Sequence, residues 1–202
     1  MTISLGVLIS GRGSNLRAIA ESINRGDLDA SVEVVISNRS DAAGLHWAQS
    51  AGLRTSVLSR SELPDRAQRQ RAMGAVLDAS DVDLVVLAGF DEILESELLE
   101  AYSGRIISIH PSLLPSFGGT MHAVAHAFEY GVKVTGCTVH FVTTNVDGGP
   151  IIVQRAIEVR EVDTVKTLAE RILAEEHQAL PEAIGLIASS RLRLDGRRVV
   201  IS

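Results

Sequence analysis

The chain has 202 residues, 46% hydrophobic and 22% charged, with aromatics at only 3%, which suits one compact α/β domain with an aliphatic core. Net charge is −6 with no block of like charges, which argues against a nucleic-acid binder held by a general basic field but leaves room for a local anion pocket. Cys137 is the only cysteine, so no internal disulfide forms; the first apolar run, broken by Ser4, Gly6 and Ser10 and lacking a basic flank, is too short to span a bilayer, and the simplest location is the cytoplasm.

Apolar runs and amphipathic segments alternate along the first half. Ile3–Ile9 reads as a strand, Asn15–Asn24 as a helix, Val32–Ile36 as a strand and Ala42–Ala51 as a helix before Gly52. Thr55–Leu58 is a short strand, Asp65–Ala79 a helix, Leu84–Ala88 a strand, Ser96–Tyr102 a short helix and Ile106–Ile109 a strand. Continuous apolar strands separated by helices predict a parallel sheet covered on both faces. After a helix at Ala123–Tyr130 the pattern changes. Thr135–Val142 and Ile151–Val159 lie close together across a glycine-rich loop and read as antiparallel additions. Thr164–Ile187 is a long amphipathic helix with a bend expected near Pro181. Arg191–Leu194 and Arg197–Ile201 flank Asp195-Gly196, a hairpin signal.

The first strand runs into Ser10-Gly11-Arg12-Gly13-Ser14-Asn15-Leu16 and then a helix. Two glycines permit a tight turn and close approach to an anion, Ser14 and Asn15 are placed to cap the helix, and its free N–H groups favour phosphate. A dinucleotide fingerprint fails, because the third glycine is missing and the second strand ends in Ser37-Asn38-Arg39 without an acidic residue. A Walker loop fails for want of Gly-Lys-Ser/Thr. On its own the turn serves equally as a phosphate cradle or as a glycine turn before a capped helix.

Ser108-Ile109-His110-Pro111-Ser112 puts a histidine, pinned by prolines, at a strand end, and Asp147-Gly148-Gly149-Pro150 puts a carboxylate in a glycine-flanked loop. That pairing suits proton transfer. Ligands of open α/β sheets bind beyond the carboxyl ends of strands, so Gly11–Asn15, Gly89–Leu94 and His110 are expected on one edge. Asp91 and Glu92 serve either as part of a ligand loop that presents backbone donors and acceptors, or as solvated acids of a first helical turn. His122 and His126 have metal-like spacing, but Ala123-Val124-Ala125 lacks the glutamate of a zinc hydrolase motif, so no metal is expected there. His140 in an alternating strand reads as structural or as support for a site residue, His46 as a surface helix residue, Glu175-Glu176-His177 as a solvated helix face, and Cys137 as a buried inert thiol.

Leu8-Ile9-Ser10-Gly11-Arg12-Gly13-Ser14-Asn15-Leu16, Ser37-Asn38-Arg39, Leu87-Ala88-Gly89-Phe90, Ile109-His110-Pro111-Ser112-Leu113-Leu114-Pro115, Val139-His140-Phe141-Val142 and Asp147-Gly148-Gly149-Pro150-Ile151-Ile152 together resemble the phosphoribosylglycinamide formyltransferase family, folate-dependent enzymes of de novo purine (IMP) biosynthesis, over essentially the whole length. The resemblance implies one Rossmann-like α/β formyltransferase domain over residues 1–202, with a mostly parallel central sheet, helices on both faces and antiparallel C-terminal strands. Its ribonucleotide-binding half would span about 1–104 and its catalytic and folate-binding half about 105–202. Gly13, Ser14 and Asn15 would hold the substrate phosphate, and Glu176 would meet the glycinamide amine. Arg66, Asp91, Glu92, Ile93 and Leu94, with Thr143, Thr144, Asn145 and Val146, would bind the folate. His110 would be the proton donor, Asp147 would hold and tune it, and Ser108 would stand at the oxyanion.

The implied reaction moves the formyl group of 10-formyltetrahydrofolate to the glycinamide amine of N1-(5-phospho-D-ribosyl)glycinamide, with no metal and with only small-molecule substrates as partners, in a monomer or homodimer that contacts neither nucleic acid nor membrane. Alternatives are a 10-formyltetrahydrofolate hydrolase, which generally carries an extra N-terminal domain, and a weakly active or non-catalytic folate- and nucleotide-binding relative. Three positions depart from the family pattern. Ser108 replaces the usual asparagine, Asp91-Glu92 replaces Met-Arg, and Phe117-Gly118-Gly119 replaces Phe-Pro-Gly, which is expected to loosen a loop near the site.

Overall fold

The computed structural model describes residues 2–201. The chain forms two compact units, one ending at Ile107 and the other beginning at Ser108.

The first unit alternates β1 (Ile3–Ile9), α1 (Ser14–Asn24), β2 (Ala30–Ser37), α2 (Ala43–Ser50), β3 (Thr55–Val57), α3 (Arg66–Asp78), β4 (Leu84–Leu87) and α4 (Ser96–Ala101). Its strands run in the order β3-β2-β1-β4, with β1 parallel to both β2 and β4 and β2 parallel to β3. The apolar runs of these strands are buried: Leu5, Val7, Leu8 and Ile9 in β1, Val34, Val35 and Ile36 in β2, and Leu84, Val85 and Val86 in β4. Parallel strands sealed on both faces demand such continuous runs, and each buried Leu, Ile or Val contributes about 1.5–3 kcal/mol. The winding direction reverses between β1 and β4, so the loops after these two strands flank the crevice where open α/β sheets take ligands. They are bonded directly. Ser10 N–H donates to the Gly89 carbonyl at 3.0 Å, and Asp91 N–H donates to Ser10 Oγ at 3.0 Å.

β5 (Ile106–His110) leads into the second unit, which continues with α5 (Ala123–Tyr130), β6 (Val134–Phe141), β7 (Ile151–Glu158), α6 (Val165–Ala188), β8 (Leu192–Asp195) and β9 (Arg198–Ile201). β6 and β7 are antiparallel, and their register shifts between Val139 and His140. Two glycines permit this pairing. A Cβ on Gly136 would lie 1.9 Å from the Arg155 carbonyl oxygen, and one on Gly149 would lie 1.8 Å from that of Phe141. α6 starts at a capping box in which Thr164 and Thr167 exchange side-chain and backbone bonds. It packs on β6 and β7, burying Leu168, Ile172, Ala179, Leu180, Ala183 and Ile184, and it continues past Pro181 to Ala188. The hairpin differs by one residue from expectation. Asp195 belongs to β8 and pairs with Arg198, so Gly196 and Arg197 form the turn, with Gly196 at φ +58°. No helix among the described residues is long and apolar enough to cross a membrane.

Candidate active site

In the first unit, the glycine turn ends at Gly13, which is the N-cap of α1 in the left-handed conformation (φ +71°). The expected side-chain cap from Ser14 or Asn15 is therefore replaced by a residue with no side chain. Ser14 opens the helix, and no side chain caps its N-terminus.

Asp91 and Glu92 are not solvated acids of a helical turn, because α4 begins only at Ser96. Their carboxylates turn into a cluster of cations. Asn38, 1% exposed, donates through Nδ2 to Asp91 Oδ1 at 3.0 Å and to Glu92 Oε1 at 2.9 Å. Arg39 and Arg60 both pair with Asp91. Arg60 Nε meets Glu92 at 2.7 Å, and the buried Arg69 meets it at 2.9 Å. Burial works against the charged form of each acid. For Asp91 it is outweighed by hydrogen bonds from Asn38 and Ser10 and by the Arg60 and Arg39 cations, and for Glu92 by bonds from Arg69, Arg60 and Asn38, so both carboxyls lie below their ordinary pKa values. With the side chains committed, the segment from Asp91 to Leu94 offers a ligand its backbone and the exposed Ile93, while Leu94 is buried. Gln70 braces it, donating to the Ile93 carbonyl at 3.0 Å and accepting from Glu95 N–H at 2.7 Å. Arg66, expected near the folate, is half exposed and pairs with Glu95.

In the second unit, His110 ends β5 and is 7% exposed. Its Nε2 lies 2.9 Å from the Phe117 carbonyl oxygen and its Nδ1 lies 3.3 Å from Asp147 Oδ2. Both partners are hydrogen-bond acceptors. Asp147 Oδ2 also accepts from Gly119 N–H at 2.7 Å, and Oδ1 faces His140 Nε2 at 3.6 Å. Phe117, Gly119 and Asp147 all have positive φ, at +56°, +73° and +52°. For Phe117 this conformation costs about 1–2 kcal/mol, and its carbonyl's bond to His110 makes use of it. The Phe117-Gly118-Gly119 segment is thus bonded to both His110 and Asp147. A substituent on Gly118 would come within 3.1 Å of Leu114 and 3.4 Å of Asp147 Cβ.

The turn after His110 is held by residues that sequence reasoning missed. Buried Thr138 on β6 accepts from Leu114 N–H at 3.0 Å and donates to the Ser112 carbonyl at 2.7 Å, and Gln154 donates to the Leu114 carbonyl at 2.9 Å. Ser108 is half-buried and, two residues before His110 on the same strand, shares its face. Thr143, Thr144, Asn145 and Val146 are exposed, and the turn over residues 145–148 is closed by Gly148 N–H on the Asn145 carbonyl at 2.9 Å. Glu176 is buried on α6 at 7% exposure, not on a solvated face. Cys137 is fully buried, and burial together with Glu176 and Glu175 pushes its thiol up to about 12, so it is inert as a nucleophile at neutral pH. The His122 and His126 rings lie 6.1 Å apart, and no group of three metal-ligating side chains occurs among the described residues.

The first unit thus bonds the loops after β1 and β4 to each other, and the second sets a histidine between a carboxylate and a carbonyl, features in keeping with a group-transfer enzyme. The sequence model of the formyl transferases matches residues 4–184. The phosphoribosylglycinamide formyltransferase of Escherichia coli K12 is 38% identical over 204 residues, covering 98% of this chain and 96% of that one. The human trifunctional purine biosynthetic protein adenosine-3 is 44% identical over 94% of this chain, which spans 19% of that protein's length. The crystal structure of glycinamide ribonucleotide transformylase 1 from Symbiobacterium toebii superposes with a TM-score of 0.96 at 50% identity, covering 99% of this chain and 94% of that one. The chain belongs to the phosphoribosylglycinamide formyltransferase family.

Proposed function

We propose that the protein transfers the formyl group of 10-formyltetrahydrofolate to the amine of N1-(5-phospho-D-ribosyl)glycinamide. The observation that carries this reading is His110, whose two ring nitrogens face the Phe117 carbonyl and the Asp147 carboxylate. A ring held between two acceptors is a proton source in one fixed orientation when it is protonated. The amine adds to the formyl carbon, and negative charge gathers on the formyl oxygen. His110 offsets that charge and gives a proton to the folate nitrogen N10 as the C–N10 bond breaks. Asp147 accepts the proton that the attacking nitrogen sheds. After the products leave, Asp147 loses that proton and the imidazole regains one, so the pair ends as it began.

The remaining roles fit this chemistry. The N-terminus of α1 after Gly13, with Ser14 and Asn15, takes the phosphate. The segment from Asp91 to Leu94 reads the flat heterocycle through its backbone, with the exposed residues 143–146 and the Arg66 cation completing the folate contacts. Buried Glu176 orients the amine, and the Ser108 hydroxyl meets the oxyanion. The single buried thiol suits a reducing compartment, the cytoplasm.

The test is a transfer assay with both substrates and a control lacking the ribonucleotide. Formylated product that forms only with both substrates is the expected result. Formate release without the acceptor would instead make the protein a hydrolase, and neither product would make it a binding protein.

A further inference from the structure

Formyl transfer as written engages His110 and Asp147 and gives His140 no task, yet His140 is built into the same cluster. It sits on β6 where the ladder to β7 shifts register and is 2% exposed. Its Nδ1 lies 2.9 Å from the Phe141 carbonyl oxygen. A carbonyl only accepts, so Nδ1 carries the ring's hydrogen. Burial disfavours a second proton. It outweighs the opposing pull of the Phe141 carbonyl and Asp147, while the nearby His110 adds to it, and His140 lies below its ordinary pKa. The neutral ring therefore has its lone pair on Nε2. That atom is buried without a hydrogen-bond partner among the described residues, and it faces Asp147 Oδ1 across 3.6 Å.

A lone pair against a carboxylate oxygen is an unfavourable contact. It becomes a hydrogen bond once Oδ1 is protonated. The two oxygens of Asp147 are thus divided: Oδ2 takes the Gly119 N–H and faces His110, and Oδ1 faces His140 Nε2, which has no hydrogen-bond partner among the described residues. We propose that His140 is a positioning residue for Asp147, its Nε2 receiving the Asp147 O–H while Oδ1 holds the proton shed by the attacking amine. This rests on the formyl-transfer reading. The proton balance is unchanged, because His140 neither gains nor loses a proton and only accepts a hydrogen bond in the step where Asp147 is a carboxylic acid. Its effect belongs to that step and falls on kcat, not on substrate binding.

Two substitutions separate this role from simple packing. The amide of His140→Asn reaches the place of Nδ1 and keeps a donor for the Phe141 carbonyl, but it cannot reach the place of Nε2. The longer His140→Gln brings an amide oxygen toward that place. His140→Asn is expected to lower kcat about tenfold, the value of one hydrogen bond made only in the reacting state, with both KM values within about twofold of the parent. His140→Gln is expected to recover part of the loss. His140→Asn at the parental kcat, or His140→Gln no better than His140→Asn, overturns the proposal. A third measurement needs no variant: with 15N-labelled histidine, NMR of the parent protein at neutral pH should show Nε2 of His140 unprotonated, and a proton there also overturns it. Absence of any formyl transfer by the parent protein defeats the reading beneath; transfer together with a protonated Nε2 defeats the role of His140 alone.

Discussion

Gly13 and Gly44 meet backbone to backbone. A Cβ built on Gly13 would lie 2.6 Å from the Gly44 Cα, and one on Gly44 would lie 2.7 Å from the Gly13 Cα. Gly44 N–H also donates to the Gly11 carbonyl at 2.9 Å. The first turn of α2 therefore presses the glycine turn into place from behind. Only Gly13 has positive φ, so Gly44→Ala carries no left-handed strain, and helix propensity favours alanine by about 1 kcal/mol. What remains is the displacement of the turn. Gly44→Ala is expected to raise KM for the ribonucleotide several-fold and leave KM for the formyl-folate within about twofold. Equal effects on both substrates, or none on either, would show that this turn does not bind the phosphate.

Asp147 Oδ2 lies 3.3 Å from His110 Nδ1, and the proposed reaction uses the two as one unit. Groups that act as a unit give non-additive losses. His110→Ala and Asp147→Ala should each remove most of kcat, and the double variant should be little worse than the weaker single one. Losses that multiply in the double variant would mean two independent contributions.

The cationic cluster around Asp91 and Glu92 makes an acid-side prediction. Both acids have folded pKa values below the ordinary 3.8 and 4.5. An acid with a depressed folded pKa contributes stability that is full above the unfolded value and is lost as pH falls through the folded one. The parent's melting temperature should therefore drop as pH is lowered below about 4.5. Asp91→Asn/Glu92→Gln should start lower at pH 7, since it leaves Arg60 and Arg69 without their anions, and should lose less on acidification. Parallel melting curves for the two proteins across that range would refute the assignment. The same variant should raise KM for the formyl-folate more than for the ribonucleotide, because the braced segment is the one assigned to the folate.

The sequence showed most of the fold because its signals are local. Aliphatic runs such as Leu84–Val86 have to be buried, Asp65 caps α3 by accepting from Gln68 N–H at 2.7 Å, and Thr164 caps α6. His110 and Asp147 were legible as a pair because proline and glycine punctuation marks both. Contacts between distant segments were not legible. Gly44 looks like any glycine near a helix start until Gly13 is set against it. Glu92 and Arg69 are 23 residues apart, and nothing in their spacing distinguishes an inward acid from a solvated one. Thr138 and Gln154 brace the turn after His110 only because β6 pairs with β7. The hairpin turn slipped by one residue because Asp-Gly and Gly-Arg both suit a two-residue turn beginning or ending at glycine.

Ser108 occupies the position where the resemblance leads one to expect an asparagine at the oxyanion. It stands two residues before His110 on β5, on the same face. A hydroxyl is a single donor that rotates, whereas the amide of the usual asparagine offers two hydrogens in a fixed plane. A rotating donor is less preorganised for charge that develops only in the transition state, so the deficit belongs in kcat. Ser108→Asn is expected to raise kcat with both KM values nearly unchanged. Ser108→Ala should lower kcat by about one to three orders of magnitude, the value of a lost oxyanion donor. The check is steady-state kinetics on the three proteins side by side, with melting temperatures to confirm that β5 is intact. If Ser108→Ala keeps the parental kcat, the hydroxyl gives no hydrogen bond to the oxyanion and another donor holds it. If the parent is inert and Ser108→Asn turns over, this side chain alone separates the chain from a working transferase.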